Sequence, residues 1–100
     1  MNTVNTHSDG DVLQVQIHGH FNPHAKNLIE NRISRSIKKL EIDLSSCNLI
    51  DSEGVLFMYN FQREGRCLDI QHPPDILFEI LDILELREQW DQYYHEINQK

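Results

Sequence analysis

The feature that most constrains this chain is a hydrophobic period that switches repeatedly between two and about 3.6. Leu13, Val15 and Ile17 alternate with Gln14, Gln16 and His18, the pattern of a half-buried strand. Ala25, Leu28, Ile29, Ile33 and Ile37 then recur at helical spacing. Leu40, Ile42 and Leu44 alternate with Glu41 and Asp43, which returns the chain to a strand. The run from Val55 to Phe61 is apolar on nearly every side of a helix, and Cys67-Leu68-Asp69-Ile70 is a short strand. A third helix carries Ile76, Leu77, Ile80, Leu81 and Leu84 as its buried stripe. Trp90, Tyr93, Tyr94 and Ile97 place a short final helix in the tail. Alternation of this kind implies an open α/β sheet, its parallel strands joined by right-handed crossovers.

Local punctuation sets the expected boundaries. Ser8-Asp9-Gly10-Asp11 is a hairpin turn, because Asp-Gly tolerates positive φ. A weak strand from Thr3 to His7 completes that hairpin. Asn22-Pro23 opens the first helix with a side-chain cap followed by a residue of pre-set φ. The basic cluster from Arg32 to Lys39 reads as the solvated face and C-terminal charge of that helix. Ser45 to Asp51 is expected to be a loop whose Leu49 and Ile50 tuck into the core. The second helix is expected from Ser52 to Glu64, ended by Gly65 in the left-handed conformation. Pro73-Pro74-Asp75 opens the third.

One hundred residues make one compact domain, 1–100, with room for a single core. The formal charge of −7 argues against a nucleic-acid partner, since phosphate neutralisation needs clustered Lys and Arg. No apolar run is long enough to insert across a membrane. The N-terminus lacks the basic start and apolar stretch of a signal peptide. Cys47 and Cys67 therefore read as reduced, packed thiols, and the chain as soluble and cytoplasmic.

The search for chemistry finds no catalytic constellation. His18 and His20 share a strand face with His24 a few residues on, yet they lack a carboxylate-rich surround, so no metal is expected. Neither cysteine lies in an activating setting, and no phosphate-binding glycine motif is present, so no cofactor is expected. What stands out is Asp51-Ser52-Glu53-Gly54, at the start of the most apolar helix. Two readings are open. The turn is a helix cap, with Glu53 favouring the positive end of the dipole and Gly54 permitting close packing. Alternatively, an exposed hydroxyl or carboxylate at a helix N-terminus is offered to a partner protein. The helix that follows is likewise either covered by neighbours on all its apolar sides or left with one edge for a partner.

Several segments, in order, resemble the STAS family, the sulphate-transporter and anti-sigma-factor-antagonist domain. Gly19-His20-Phe21-Asn22 is similar to the family's Gly-x-Leu-Asp ahead of the first helix. Leu40-Glu41-Ile42-Asp43-Leu44-Ser45 resembles its central strand, and Ile50-Asp51-Ser52-Glu53-Gly54-Val55 its signature apolar-Asp-Ser-Ser-Gly-Leu turn. Ile80 through Trp90 looks like the end of its penultimate helix. The resemblance implies a small open sheet of four to five strands, with three to four helices packed mainly on one face. It implies a non-enzymatic regulator that binds an anti-sigma factor, itself a serine kinase, or a related phosphatase. It also admits a docking subunit of a larger assembly, such as one built on the ATPase of a lipid-transport system. The partner-binding residues it implies are Asn22, Asp51, Ser52, Glu53, Gly54, Val55, Phe57 and Met58.

Two departures from the family pattern matter. The phosphoacceptor normally stands just before the glycine, where this chain has Glu53. Three roles stay open: Glu53 as a permanent mimic of the phosphorylated state, Ser52 as a displaced phosphoacceptor, or a docking domain without a switch. Gly65 also closes the second helix earlier than the family does.

Overall fold

The computed structural model describes the backbone of residues 2–98 and the side chains of residues 2–94. Strand β1 (Thr3–Asp9) turns at Gly10 into β2 (Val12–Phe21). Helix α1 (Pro23–Glu30), β3 (Lys39–Ile50), α2 (Ser52–Arg63), β4 (Cys67–Gln71), α3 (Asp75–Ile83) and α4 (Arg87–Asn98) follow. The sheet order is β1-β2-β3-β4, with β1 antiparallel to β2 and the other neighbours parallel. This is the α/β architecture expected, a four-stranded mixed sheet with four helices.

The pleat decides which side of the sheet is covered. Successive side chains point to opposite faces, so Leu13, Val15, Ile17, Leu40, Ile42 and Leu68 line one side, all of them buried. The register sets Val4 beside Ile17 and Leu40 beside both Leu13 and Leu68, so one apolar face crosses all four strands. Helical side chains complete the core there: Ala25 and Ile29 of α1, Val55 and Met58 of α2, Leu77 and Leu81 of α3, Trp90 of α4. The other face is polar. Gln14 Nε2 donates to Glu41 Oε1 (3.1 Å) and Gln16 Nε2 to Asp43 Oδ2 (3.4 Å). Asp43 also accepts from the Ser45 amide (2.9 Å), and this bond does most to hold its carboxyl below the usual carboxylate range.

Two expectations fail, each for a geometric reason. The first helix does not run on to Ile37; it stops at Glu30, capped at Asn31. The chain must return along β2 to start β3 beside Val12, a climb of ~33 Å for ten strand residues. A helix to Ile37 would rise only ~22 Å, leaving too little chain to close the distance. Residues 31–38 instead form a loop that carries Ile37 into the core and exposes Arg32 and Arg35. The loop is anchored where the Asp11 carbonyl accepts from the Lys38 amide (2.7 Å).

The stretch expected as a loop from Ser45 to Asp51 is mostly strand. β3 stays paired with β2 to its end through two register shifts, which bring Phe21 opposite Ile50. The shifts cancel simple alternation, so the polar Ser45, Ser46 and Asn48 conceal the strand in the sequence. Ile50 is buried as expected, whereas Leu49 is 50% exposed.

The tail packs as a helix. Trp90 is buried, Tyr93 meets the Tyr59 ring edge-on at 6.1 Å, and Tyr94 stacks on Trp90. The side chain of Ile97 lies outside the described residues. Burial raises the thiol pKa of both Cys47 and Cys67, and the two cysteines are not bonded to each other.

Candidate functional site: the paired helix starts at the end of the sheet

The site grows from the ends of two neighbouring parallel strands. β2 ends at Phe21 and β3 at Ile50, paired side by side. Each strand passes directly into a helix through one Asx residue. Asn22 Oδ1 accepts from the Ala25 amide, and Asp51 Oδ1 from the Gly54 amide, both at 3.0 Å. Both caps have extended backbone, the geometry that lets a short oxygen-bearing side chain satisfy a free helical amide. The Asp51 amide donates to the Phe21 carbonyl (3.1 Å), tying the second cap to the first strand.

Gly54 has a steric reason to be there. A Cβ at this position would stand 3.0 Å from the Phe21 ring and 3.2 Å from Ile50 Cγ2. The first turn of α2 therefore rests on Phe21 with no space between them. With the turn seated this deeply, Ser52 and Glu53 face solvent.

Successive residues project about 100° apart on a helix, so Ser52 and Glu53 point in different directions. Glu53 lies on the α1 side. Its Oε2 is 3.2 Å from Lys26 Nζ, and the same ammonium lies 3.8 Å from Glu30 Oε1. Behind this ion pair runs a groove of about 410 Å³ between α1 and α2, floored by Ile33, Leu56, Phe57 and Phe61. Phe57 contacts the Phe21 ring edge-on, with centroids 6.3 Å apart. The Arg66 guanidinium lies over Phe61 at 5.3 Å.

The sequence-expected residues divide by exposure. Ser52 and Glu53 are exposed, and Asn22, Asp51 and Phe57 are half-buried at the rim. Gly54, Val55 and Met58 are buried beneath that rim. Helical periodicity turns Gly54 and Met58 towards the sheet, and Val55 points into the same interior. Their contribution is to seat the turn.

Sequence reasoning overlooked Lys26, Leu56 and Arg66. The spacing of Lys26 and Glu30 on one helix was a readable signal for half of the ion cluster. Its link to Glu53 depends on how α1 and α2 pack.

Among the described residues, no cluster of three His, Cys, Asp or Glu side chains could hold a metal ion. His18 and His20 lie on β2, while His24 belongs to α1. No described helix is long and apolar enough to cross a membrane.

No family model matches the chain, and no curated protein matches its sequence. Solved structures do match its fold. The unphosphorylated anti-sigma factor antagonist SpoIIAA superimposes with a TM-score of 0.68 at 14% identity, covering 86% of this chain and 84% of that one. An anti-sigma factor antagonist from Mycobacterium paratuberculosis gives a TM-score of 0.66 at 14% identity, covering 97% and 94% respectively. The order of strands and helices, the one-sided helical layer and these superpositions together establish that this chain has the STAS fold, as found in anti-sigma factor antagonists.

Proposed function

We propose that this chain is a cytoplasmic regulatory binding domain that docks on an anti-sigma factor, or on a related serine kinase or phosphatase. The Asp51–Gly54 turn and the groove beside it form its contact surface. The supporting observation is the presentation of Ser52 and Glu53: two exposed polar side chains on a helix start pinned by Asp51 and seated on Phe21. A surface that is already ordered loses little conformational entropy on binding, which suits a docking site. The reading is one of binding and invokes no catalytic step, metal or cofactor.

Within this reading, Ser52 is the phosphoacceptor candidate. A phosphate there would add roughly −1.5 to −2 charges at pH 7 beside Glu53 and oppose docking by repulsion and desolvation. The decisive assay incubates the protein with labelled ATP and the serine kinase encoded nearest its gene. Incorporation that is lost in Ser52→Ala supports the switch. Failure of every such kinase or anti-sigma factor to bind the protein overturns the reading.

One observation favours a second version, a docking subunit without a switch, such as one that binds a transporter ATPase. Glu53 stands where the phosphoacceptor is expected and is held by Lys26, so a single negative charge is present permanently. Binding without incorporation, unchanged in Ser52→Ala, would select this version. If Glu53 mimics a phosphate, Glu53→Ser should tighten kinase binding; unchanged affinity would refute the mimicry.

A further inference from the structure

The two edges of the sheet are finished differently. At β4 the last helix lies alongside: Trp90 is buried, and Tyr94 Oη accepts a hydrogen bond from the Ile70 amide (3.3 Å). At β1 no described residue provides an equivalent hydrogen-bonded cap. From Thr3 to Asp9 this edge carries no proline, no lysine or arginine, and no register shift against β2. Those are the devices that ordinarily stop an edge strand from pairing with another chain.

The hairpin also dictates which backbone groups of β1 are free. Gly10 and Asp11 form a two-residue turn between the paired Asp9 and Val12. In such a hairpin the flanking pair exchanges hydrogen bonds, and alternate residues along the strand do the same. Thr3, Asn5, His7 and Asp9 therefore aim their amides and carbonyls at β2, while Val4, Thr6 and Ser8 aim theirs outward. Among the described residues, none donates to or accepts from those outward groups.

We propose that a second copy of this chain adds its β1 antiparallel to this edge, about a two-fold axis at Thr6, merging two four-stranded sheets into one. The strand is self-complementary in this register. Thr6 is the midpoint of Thr3–Asp9, so the overlap uses the whole strand. Thr6 pairs with Thr6 of the second copy, and Val4 with Ser8 of the second copy, all through outward-facing groups. Registers centred on Asn5 or His7 also use outward groups, but they shorten the overlap to residues 3–7 or 5–9. On the polar face Asn5 lies opposite His7 of the second copy, and Thr3 opposite Asp9 of the second copy, so no like charges are opposed. Each copy carries −7, so self-association strengthens as salt screens the overall repulsion.

Sedimentation velocity on the full chain, from micromolar to millimolar, tests this directly. A concentration-dependent dimer is expected, tighter at high salt, with amide exchange at Val4, Thr6 and Ser8 slowing as the dimer fills. Thr6→Pro removes an outward amide that β2 does not use, so the hairpin survives and the dimer is lost. Should that variant fail to fold, a charge exchange carries the test. Asn5→Lys with His7→Lys opposes like charges and raises the dissociation constant about tenfold or more. Asn5→Lys with His7→Glu restores it. A wild-type chain that stays monomeric at millimolar concentration overturns the proposal. So does a dimer whose Val4, Thr6 and Ser8 amides exchange freely, or one indifferent to the charge exchange.

Discussion

The starts of α1 and α2 are built alike and used differently. Each follows a parallel strand without a linker, and each is capped by an Asx oxygen 3.0 Å from the amide of the third helical residue. At that third position α1 has Ala25 and α2 has Gly54. The cap of α1 is followed by Pro23, which fixes the chain direction and offers no side-chain chemistry. The cap of α2 is followed by Ser52 and Glu53, raised to the surface because Gly54 lets the turn sink onto Phe21. Identical capping thus serves one helix as a plain start and the other as a presenting platform; the difference lies in what is packed beneath the third residue.

The sharpest way to break this contrast is to enlarge the third residue of α2 and trim that of α1. Gly54→Val forces a branched side chain against Phe21 and should cost about 2–3 kcal/mol by overpacking. In thermal unfolding this is a fall of roughly 10–20 °C for a domain this size. Ala25→Gly, the reverse change in α1, should cost about 1 kcal/mol by helix propensity and a lost methyl contact. Equal losses at the two sites would refute the seating role given to Gly54.

Removing the caps should separate stability from presentation. Asn22→Ala and Asp51→Ala are each expected to lower unfolding free energy by about 1 kcal/mol, read from urea denaturation. Partner affinity should fall only with Asp51→Ala, since only the second cap orients Ser52 and Glu53. A matched loss of affinity in Asn22→Ala would show that the two starts act as one surface.

The smallest effect concerns the bridge between them. Lys26→Gln and Glu53→Gln, combined in a double-mutant cycle, should show a coupling of about 0.2–1 kcal/mol, because both side chains are partly exposed. Their weight should fall on binding instead. Glu53→Gln removes the permanent charge at the turn, and Lys26→Gln leaves that charge unpaired, so the two should shift partner affinity in opposite directions.

Much of the fold was legible in one dimension because hydrophobic periods report burial directly. The alternation at Leu13, Val15 and Ile17 marks β2, the Asn22-Pro23 cap marks the start of α1, and Asp51-Ser52 places the start of α2 to within a residue, the structure assigning the cap to Asp51. Gly65, with φ of 86°, follows α2 as expected. The failures share a cause: each element is shaped by distance or pairing. The end of α1 answers to the length of β2, and the extension of β3 through Ser45 and Asn48 answers to hydrogen bonds supplied by a neighbouring strand. At the site, Asp51, Ser52 and Glu53 stood out by residue type, while the burial of Val55 and Met58 followed from the sheet beneath α2.

The sequence by itself determined the α/β order of elements, the apolar faces of β2 and of the first half of β3, and the two capped helix starts. These depend on residue type and near-neighbour spacing, which act over a few residues. Only the tertiary structure decided that Lys26 would hold Glu53, that Phe21 would support Gly54, and that a helix would cap β4 while no described residue caps β1. Those outcomes depend on side chains and backbone groups from distant parts of the chain meeting at a few ångströms, which no local pattern records.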